Sequence, residues 1–300
     1  MALGEKEQRL REYIKELESA VIAFSGGVDS TLLIKVALEE LGSDNVLAVI
    51  GRSASYPTRE LEAAEKLVRS LEAPYKIIET EELSDPNYKS NPEDRCYYCK
   101  SELFDKLNAI ADQNNLNHVL DGSNADDNKD WRPGQKAASK QGILSPLQYN
   151  NLNKNEVRAL AKKLGLKNWD KPSMACLASR FPYGETIDEK NLKIIEKSEE
   201  FLYDLGLTQI RVRLDKGSAR IEVPPSEFSL VLKNNEKITD YLKQLGFMYI
   251  SLDLEGYKSG SLNKSLDIRD KRVAKKHKSN KHLTSKPEPL PSTTKEVSNV

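Results

Sequence analysis

An apolar run, AVIAFS at residues 20–25, passes straight into SGGVDS (25–30) and then into a helical rhythm, and no other stretch limits the fold as tightly. Gly26 and Gly27 let the backbone turn sharply and aim successive N–H groups into one concavity. Ser25 and Ser30 add hydroxyl donors. The helix expected to start near Asp29 turns its positive end toward the same point. Such a strand–loop–helix unit is a cradle for a phosphate-like anion. No Gly-Lys-Ser/Thr ending follows, so a Walker-type loop with its phosphate-bridging lysine is excluded. A plain glycine turn with an aspartate cap would explain Gly-Gly alone. Six residues in register behind a buried strand favour the anion cradle.

Strand and helix patterns alternate from residue 20 to 122. Residues 29–41 carry a helical apolar rhythm through Leu32, Leu33, Val36, Ala37 and Leu41 and stop at Gly42. Strands are expected at 45–50, 75–80 and 118–123, with helices over 57–71 and 97–114. The amino-terminal residues, before this alternation, read as an amphipathic helix. Alternation of this kind predicts an α/β fold with a parallel sheet and right-handed crossovers, whose ligands sit at the carboxyl ends of the strands. SGGVDS, the Ser53 region and DGS (121–123) all fall there. Residues 124–133 read as a polar loop, and 153–164 as a helix. KPSMACLASRFPYGE (171–185) has no period and reads as an active-site loop. A helix (188–205), two strands (209–214 and 218–223), a helical stretch (226–245) and a strand (247–253) follow, an α+β pattern. The expected division is a first domain over 1–180, a second over 181–262, and a tail over 263–300.

Formal net charge is zero but unevenly spread. Residues 271–300 hold eight Lys/Arg against two Asp/Glu, which leaves 38 basic against 44 acidic residues in the rest. The folded part therefore offers no basic excess, and a nucleic-acid partner is not expected. The tail, poor in apolar residues and rich in lysine, is expected to be disordered. No apolar run reaches the roughly 20 residues needed to span a bilayer, and no secretory signal opens the chain, so the expected location is the cytoplasm.

Cys96, Cys99 and Cys176 are the only cysteines. An odd number in a chain without an export signal argues against a disulfide framework. Cys96 and Cys99, three apart near a helix start, share a face and can grip one metal centre. Structural zinc prefers four ligands, and two of the three histidines, His277 and His282, lie in the tail. A four-iron cluster held by three thiolates fits the count better and leaves one iron open. A redox thiol pair, zinc and unrelated core cysteines remain the alternatives.

SGGVDS matches every fixed position of the SGGxDS signature of the PP-loop pyrophosphatase superfamily, which the chain resembles. Members split ATP between its α- and β-phosphates and leave AMP on a substrate oxygen, with magnesium. Further segments are similar to one branch, the LarE sulfur transferases of nickel-pincer nucleotide biosynthesis. They are AFSGGVDSTL (23–32), LDG (120–122), DWRPG (130–134), VRALAKKLGL (157–166), SRFPYGETI (179–187), LGLTQIRVR (205–213), ARIEVP (219–224) and LGFMYISLDLEGYKSG (245–260). The resemblance implies ATP, Mg²⁺ and a [4Fe–4S] cluster as cofactors. Its substrate would be a pyridinium mononucleotide with two carboxylates, each adenylated and then given sulfur. It implies nucleotide contacts at Ser25, Gly26, Gly27, Asp29, Ser30, Gly122, Arg180 and Arg213, and catalytic roles for Cys176, Asp29 and Arg211. Metal ligands would come from Cys96, Cys99, Cys176, Glu199 and Glu222. Single-cysteine members sacrifice the sulfur at the position of Cys176. The added Cys96 and Cys99 imply the cluster-dependent version, fed by sulfide or another sulfur donor. A homo-oligomer is implied, with a hexamer as the expected form.

Overall fold

In the computed structural model, which describes residues 2–129, 133–258, 260 and 262, the strand before the glycine loop is covered on both faces. That explains why β1 (Ala20–Ala23) needs no polar residue. Ala20 and Ile22 point to one apolar cluster and Val21 to another, as the pleat requires. β1 pairs in parallel with β2 (Val46–Arg52) on one side and β4 (His118–Leu120) on the other, and β3 (Tyr75–Glu79) extends the sheet beyond β2. The order is β3-β2-β1-β4. This is the parallel α/β sheet expected from the alternating pattern.

Helices cover both faces. α1 (Leu3–Glu16), α2 (Val28–Leu41) and α3 (Thr58–Ser70) add Leu10, Ile14, Leu32, Leu33 and Val68 to the cluster on one face. A short helix, α4 (Pro86–Lys89), and then α5 (Arg95–Gln113) of full length follow β3. Phe104, Leu107 and Ile110 of α5 fill the other face, beside Ala137 and Ala138 of α6 (Pro133–Lys140). α7 (Pro146–Tyr149) and α8 (Lys154–Lys163) return to the first face through Leu147, Val157 and Leu160. Asn153 caps α8 with a reciprocal box, its side chain accepting from the Glu156 N–H while Glu156 accepts from the Asn153 N–H.

A second sheet has the order β5-β6-β7. β5 (Arg211–Asp215) and β6 (Ser218–Glu222) form a hairpin across Lys216 and Gly217, both at positive φ as a two-residue turn of this hand demands. β7 (Tyr249–Leu252) runs parallel to β6. α9 (Glu189–Asp204), α10 (Phe228–Lys233) and α11 (Asn235–Gln244) pack on it around Leu202, Val212, Ile221, Ile238 and Leu242.

Three local expectations change. The strand at 118–123 stops at Leu120, because the Asp121 carboxylate takes the Ser123 N–H and hydroxyl and closes a turn. The helical stretch at 226–245 breaks at Asn234, whose side-chain amide donates to the Leu230 carbonyl in competition with the backbone. Ala125–Lys129 forms a 3₁₀ turn inside the expected polar loop. Asp130, Trp131 and Arg132 of the DWRPG segment, and the tail expected over 263–300, lie outside the described residues.

Candidate active site

The sheet order reverses at β1: the chain first moves out through β2 and β3, then returns to pair β4 on the other side. A crevice opens at such a switch point, at the carboxyl ends of the two diverging strands. SGGVDS follows β1 and Asp121-Gly122-Ser123 follows β4, so both sit in that crevice. Gly26 adopts φ +62°, and a Cβ there would stand 2.8 Å from Ala64 Cβ. Gly122 lies against the loop so closely that a Cβ would meet Ser30 N at 2.9 Å. Both positions demand glycine for space, and Gly26 for conformation as well. Gly27 is the N-cap of α2, and its carbonyl accepts from the Ser30 hydroxyl at 3.1 Å and the Thr31 hydroxyl at 2.8 Å. The Ser25 and Ser30 hydroxyls are 3.3 Å apart.

Side chains from other elements hold the loop in place. The Tyr56 hydroxyl donates to the Ser25 carbonyl at 3.0 Å. Asn168 donates to the Thr31 hydroxyl at 2.9 Å and to the Gly26 carbonyl at 3.3 Å. Asp29 accepts from Asn124 at 3.1 Å and pairs with Lys154. Tyr56, Asn124, Lys154 and Asn168 have no sequence signal of their own, because each is an ordinary polar residue whose neighbour is fixed only by the fold.

The three cysteines approach one another from two elements. Cys96 and Cys99 lie one turn apart on α5, the first exposed and the second half-buried. Cys176 precedes a 3₁₀ turn, Leu177–Arg180. Cys99 and Cys176 pack against the same cluster, around Tyr88, Leu177 and Phe181. Burial pushes the Cys99 thiol well up, and Glu82, Cys176 and Cys96 push it further. Among the described residues no group of three or more His, Cys, Asp or Glu is placed to hold a metal ion.

Behind Cys176 stands a nest of buried guanidinium groups. Arg180, at 0% exposure, forks onto Glu199 with distances of 2.8 and 2.7 Å. Its third nitrogen donates to the carbonyls of Ala175 (2.8 Å) and Cys176 (3.0 Å). Arg180 therefore holds the Cys176 loop directly. Arg213 forks onto Glu222 at 3.0 Å on both arms and donates to the Ser179 carbonyl at 2.5 Å. Glu199 also accepts the Val212 N–H at 2.8 Å. So Glu199 and Glu222, expected near a metal, are each paired with an arginine. Arg211 shares the strand face of Arg213, lies over the Tyr257 ring at 5.2 Å and donates to the Ile210 carbonyl at 2.6 Å. Burial, reinforced by Arg180, pulls its pKa below the ordinary arginine value. Beside the nest, a small open pocket is lined by Arg59, Glu60, Met174, Glu196, Glu199 and Tyr203.

A parallel sheet with a glycine-cornered SGGVDS loop backed by Gly122 at its switch point defines a PP-loop protein, and the NAD synthase family model matches residues 3–107, the part that holds this loop. Over nearly the whole chain the similarity is more particular. A protein of Lactiplantibacillus plantarum, pyridinium-3,5-bisthiocarboxylic acid mononucleotide synthase, is 40% identical over 264 residues, which span 88% of this chain and 96% of that one. An uncharacterized protein of Synechocystis is 44% identical over 266 residues, or 88% of this chain and 99% of the relative. One from Methanocaldococcus jannaschii is 32% identical over 83% and 94% of the two chains. The chain belongs to the pyridinium-3,5-bisthiocarboxylic acid mononucleotide synthase family.

Proposed function

We propose that the protein is an AMP-forming sulfur transferase that converts the two carboxylates of a pyridinium-3,5-dicarboxylate mononucleotide to thiocarboxylates. The carrying observation is the SGGVDS loop locked at the switch point by Gly122, in a chain that aligns almost end to end with an enzyme named for the bisthiocarboxylate product. Similarity to ammonia-dependent NAD synthetases is shorter or weaker by contrast: 28% identity over 165 residues, half of this chain, for the one from Methanococcus aeolicus, and 40% over 62 residues for the one from Methanococcoides burtonii. Those 62 residues span only 21% of this chain.

In the first half-reaction a substrate carboxylate oxygen attacks the α-phosphorus of ATP. The bond to the β-phosphate oxygen breaks, and pyrophosphate leaves into the loop, where backbone N–H groups take up its charge. In the second, a sulfide attacks the acyl carbon and the AMP oxygen departs, leaving a thiocarboxylate. Magnesium fits this loop: it is ordinarily held by one or two carboxylates plus substrate phosphates, and Asp29 is the carboxylate at the loop. That arrangement needs no cluster of protein acids. Arg211 has no salt bridge among the described residues, so a phosphate group completes its buried charge.

The three thiols also suit a [4Fe–4S] cluster, whose ligands stand farther apart than those of a single ion. Held by Cys96, Cys99 and Cys176, it would supply an open iron where an inorganic sulfide can sit. Arg180, which donates to the Cys176 carbonyl, would steady the loop that carries this thiol. The separate cores around β1 and around β5–β7 support a division near residue 180. No helix of the described residues is long and apolar enough to cross a membrane, in keeping with an enzyme of the cytoplasm. A homo-oligomer, the hexamer foremost, and sulfide as the donor complete this reading.

Anaerobic purification with iron and acid-labile sulfide counts, followed by assay of AMP, pyrophosphate and thiocarboxylate, tests it. Cys176→Ala is expected to abolish thiocarboxylate formation and leave pyrophosphate release largely intact. A protein that cannot cleave ATP to AMP with the dicarboxylate nucleotide sinks the proposal.

A further inference from the structure

SGGVDS carries no lysine of its own, yet the fold brings one to it. Lys154, the first residue of α8, sets its ammonium on Asp29 Oδ2 from 125 positions along the chain. Asp29 is the one carboxylate of the loop. Its other oxygen, Oδ1, accepts from the Asn124 amide at 3.1 Å. Both oxygens are therefore engaged, one by a neutral donor and one by a full charge. Asp29 is also the one acceptor that the Lys154 ammonium finds among the described residues.

The two donors are tied together behind the loop. The Ala125 N–H donates to the Leu152 carbonyl at 2.8 Å, and the Lys154 N–H to the Asp126 carboxylate at 2.9 Å. The Asn153–Glu156 capping box fixes the same turn, and Glu156 accepts from the Lys6 ammonium at 2.7 Å. The root of the lysine is thus held while its head is open to water: the side chain is 27% exposed, and that of Asp29 17%. A lysine head rides on a flexible four-carbon stem and can swing. An ion pair open to water is a weak brace for a fold. Its position is more telling. Magnesium needs oxygen ligands with a carboxylate among them, and Asp29 is the one this loop offers. Lys154 and a divalent cation are alternatives at Oδ2, because two cations on one oxygen repel. Lysine is also an ordinary phosphate ligand, so the displaced ammonium has a second anion to meet at the loop.

We propose that Lys154 is an exchangeable counter-ion of Asp29, which keeps a bare divalent cation off the loop and gives up the carboxylate only to a cation that arrives with ATP. The phosphates of that ATP then take the ammonium. Each charge keeps a partner through the exchange, and no covalent bond changes. Metal and nucleotide are thereby loaded together. This inference rests on the reading of SGGVDS as an ATP site.

The test uses the full chain stripped of divalent ions. Mn²⁺ is the metal probe, followed by its paramagnetic signal, and α,β-methylene-ATP with Mg²⁺ is the nucleotide probe, followed by calorimetry. Lys154→Met keeps most of the stem and removes the charge. It is expected to bind Mn²⁺ alone about tenfold more tightly than the parent, and the nucleotide about tenfold more weakly, the gain and loss of one charge-assisted contact. A lysine that only braces the loop cannot give opposite signs, since both affinities would fall together. That result, or either affinity staying within about twofold of the parent, overturns the proposal and leaves the ATP reading intact. In the double variant with Asp29→Asn the tightened Mn²⁺ binding is expected to vanish. If it survives, the metal sits elsewhere and the proposal fails. A parent chain that binds no nucleotide overturns the ATP reading and this inference with it. Should Lys154→Met not fold, Lys154→Gln, also uncharged, decides by the same two affinities.

Discussion

The loop at residues 25–30 and the nest around Arg180 and Arg213 both offer positive potential to anions, and they obtain it by opposite means. In the loop it comes from backbone N–H groups and the start of α2. What the loop requires is the absence of side chains, at Gly26 against Ala64 and at Gly122 against Ser30. In the nest it comes from arginines that are almost fully buried, at 0%, 3% and 8% exposure for Arg180, Arg211 and Arg213. Buried charge is costly unless paired, and two of the three are paired with Glu199 and Glu222. Arg211 has no such acid among the described residues, which is why the proposed function gives it the substrate phosphate. A backbone-built site thus puts little strain on stability and is sensitive to added volume. A side-chain-built site is sensitive to removed charge.

The largest effect expected from this contrast is on folding. Glu199→Ala strips the carboxylate from Arg180 and the acceptor from the Val212 N–H at once. A buried guanidinium without its partner costs about 3–5 kcal/mol. Urea denaturation of the metal-free protein should show a loss of that size. A loss below about 1 kcal/mol, the range of exposed pairs, would mean that water reaches Arg180 and that the nest is not dry.

The next effect is on catalysis. Gly122→Ala places a methyl group 2.9 Å from Ser30 N, which can be relieved only by moving the loop or β4. A shift of about 1 Å at a reacting group can cost about a hundredfold in rate. ATP-dependent pyrophosphate release should fall by that order, while the urea midpoint moves less than in Glu199→Ala. A variant that loses stability but retains full activity would show that Gly122 serves packing and not the phosphate cradle.

The same contrast governs what could be read before the fold was known. The loop is contiguous, so its glycines, hydroxyls and helix start were visible as one string, and the alternation around it announced the parallel sheet. Arg211 and Arg213 could be put on one strand face by their spacing. Their partners could not be found, because Arg213 meets Glu222 across a hairpin and Arg180 meets Glu199 through a helix that begins nine residues later. Residues 124–133 looked like a loop because their polarity hid a short 3₁₀ turn. Ser55, Glu82 and Tyr88 carried no signal at all. Each sits in a short or irregular segment, and Ser55 meets Glu82 only through the folded chain.

The smallest effect concerns Arg220, which also pairs with Glu222, at 3.3 Å, and with Asp253 at 3.4 Å. Its side chain is 48% exposed, against 10% for Arg213 on the same carboxylate. Water and salt already screen Arg220, and Glu222 keeps Arg213 when it is gone. Arg220→Ala should therefore cost less than about 1 kcal/mol by urea denaturation, and the difference should shrink as sodium chloride is raised. Arg213 and Arg220 share one acid, so they differ mainly in depth. A cost for Arg220→Ala as large as that of Glu199→Ala would show that burial is not what sets the strength of these pairs. It would also remove the reason for treating Arg211 as a buried charge completed by phosphate.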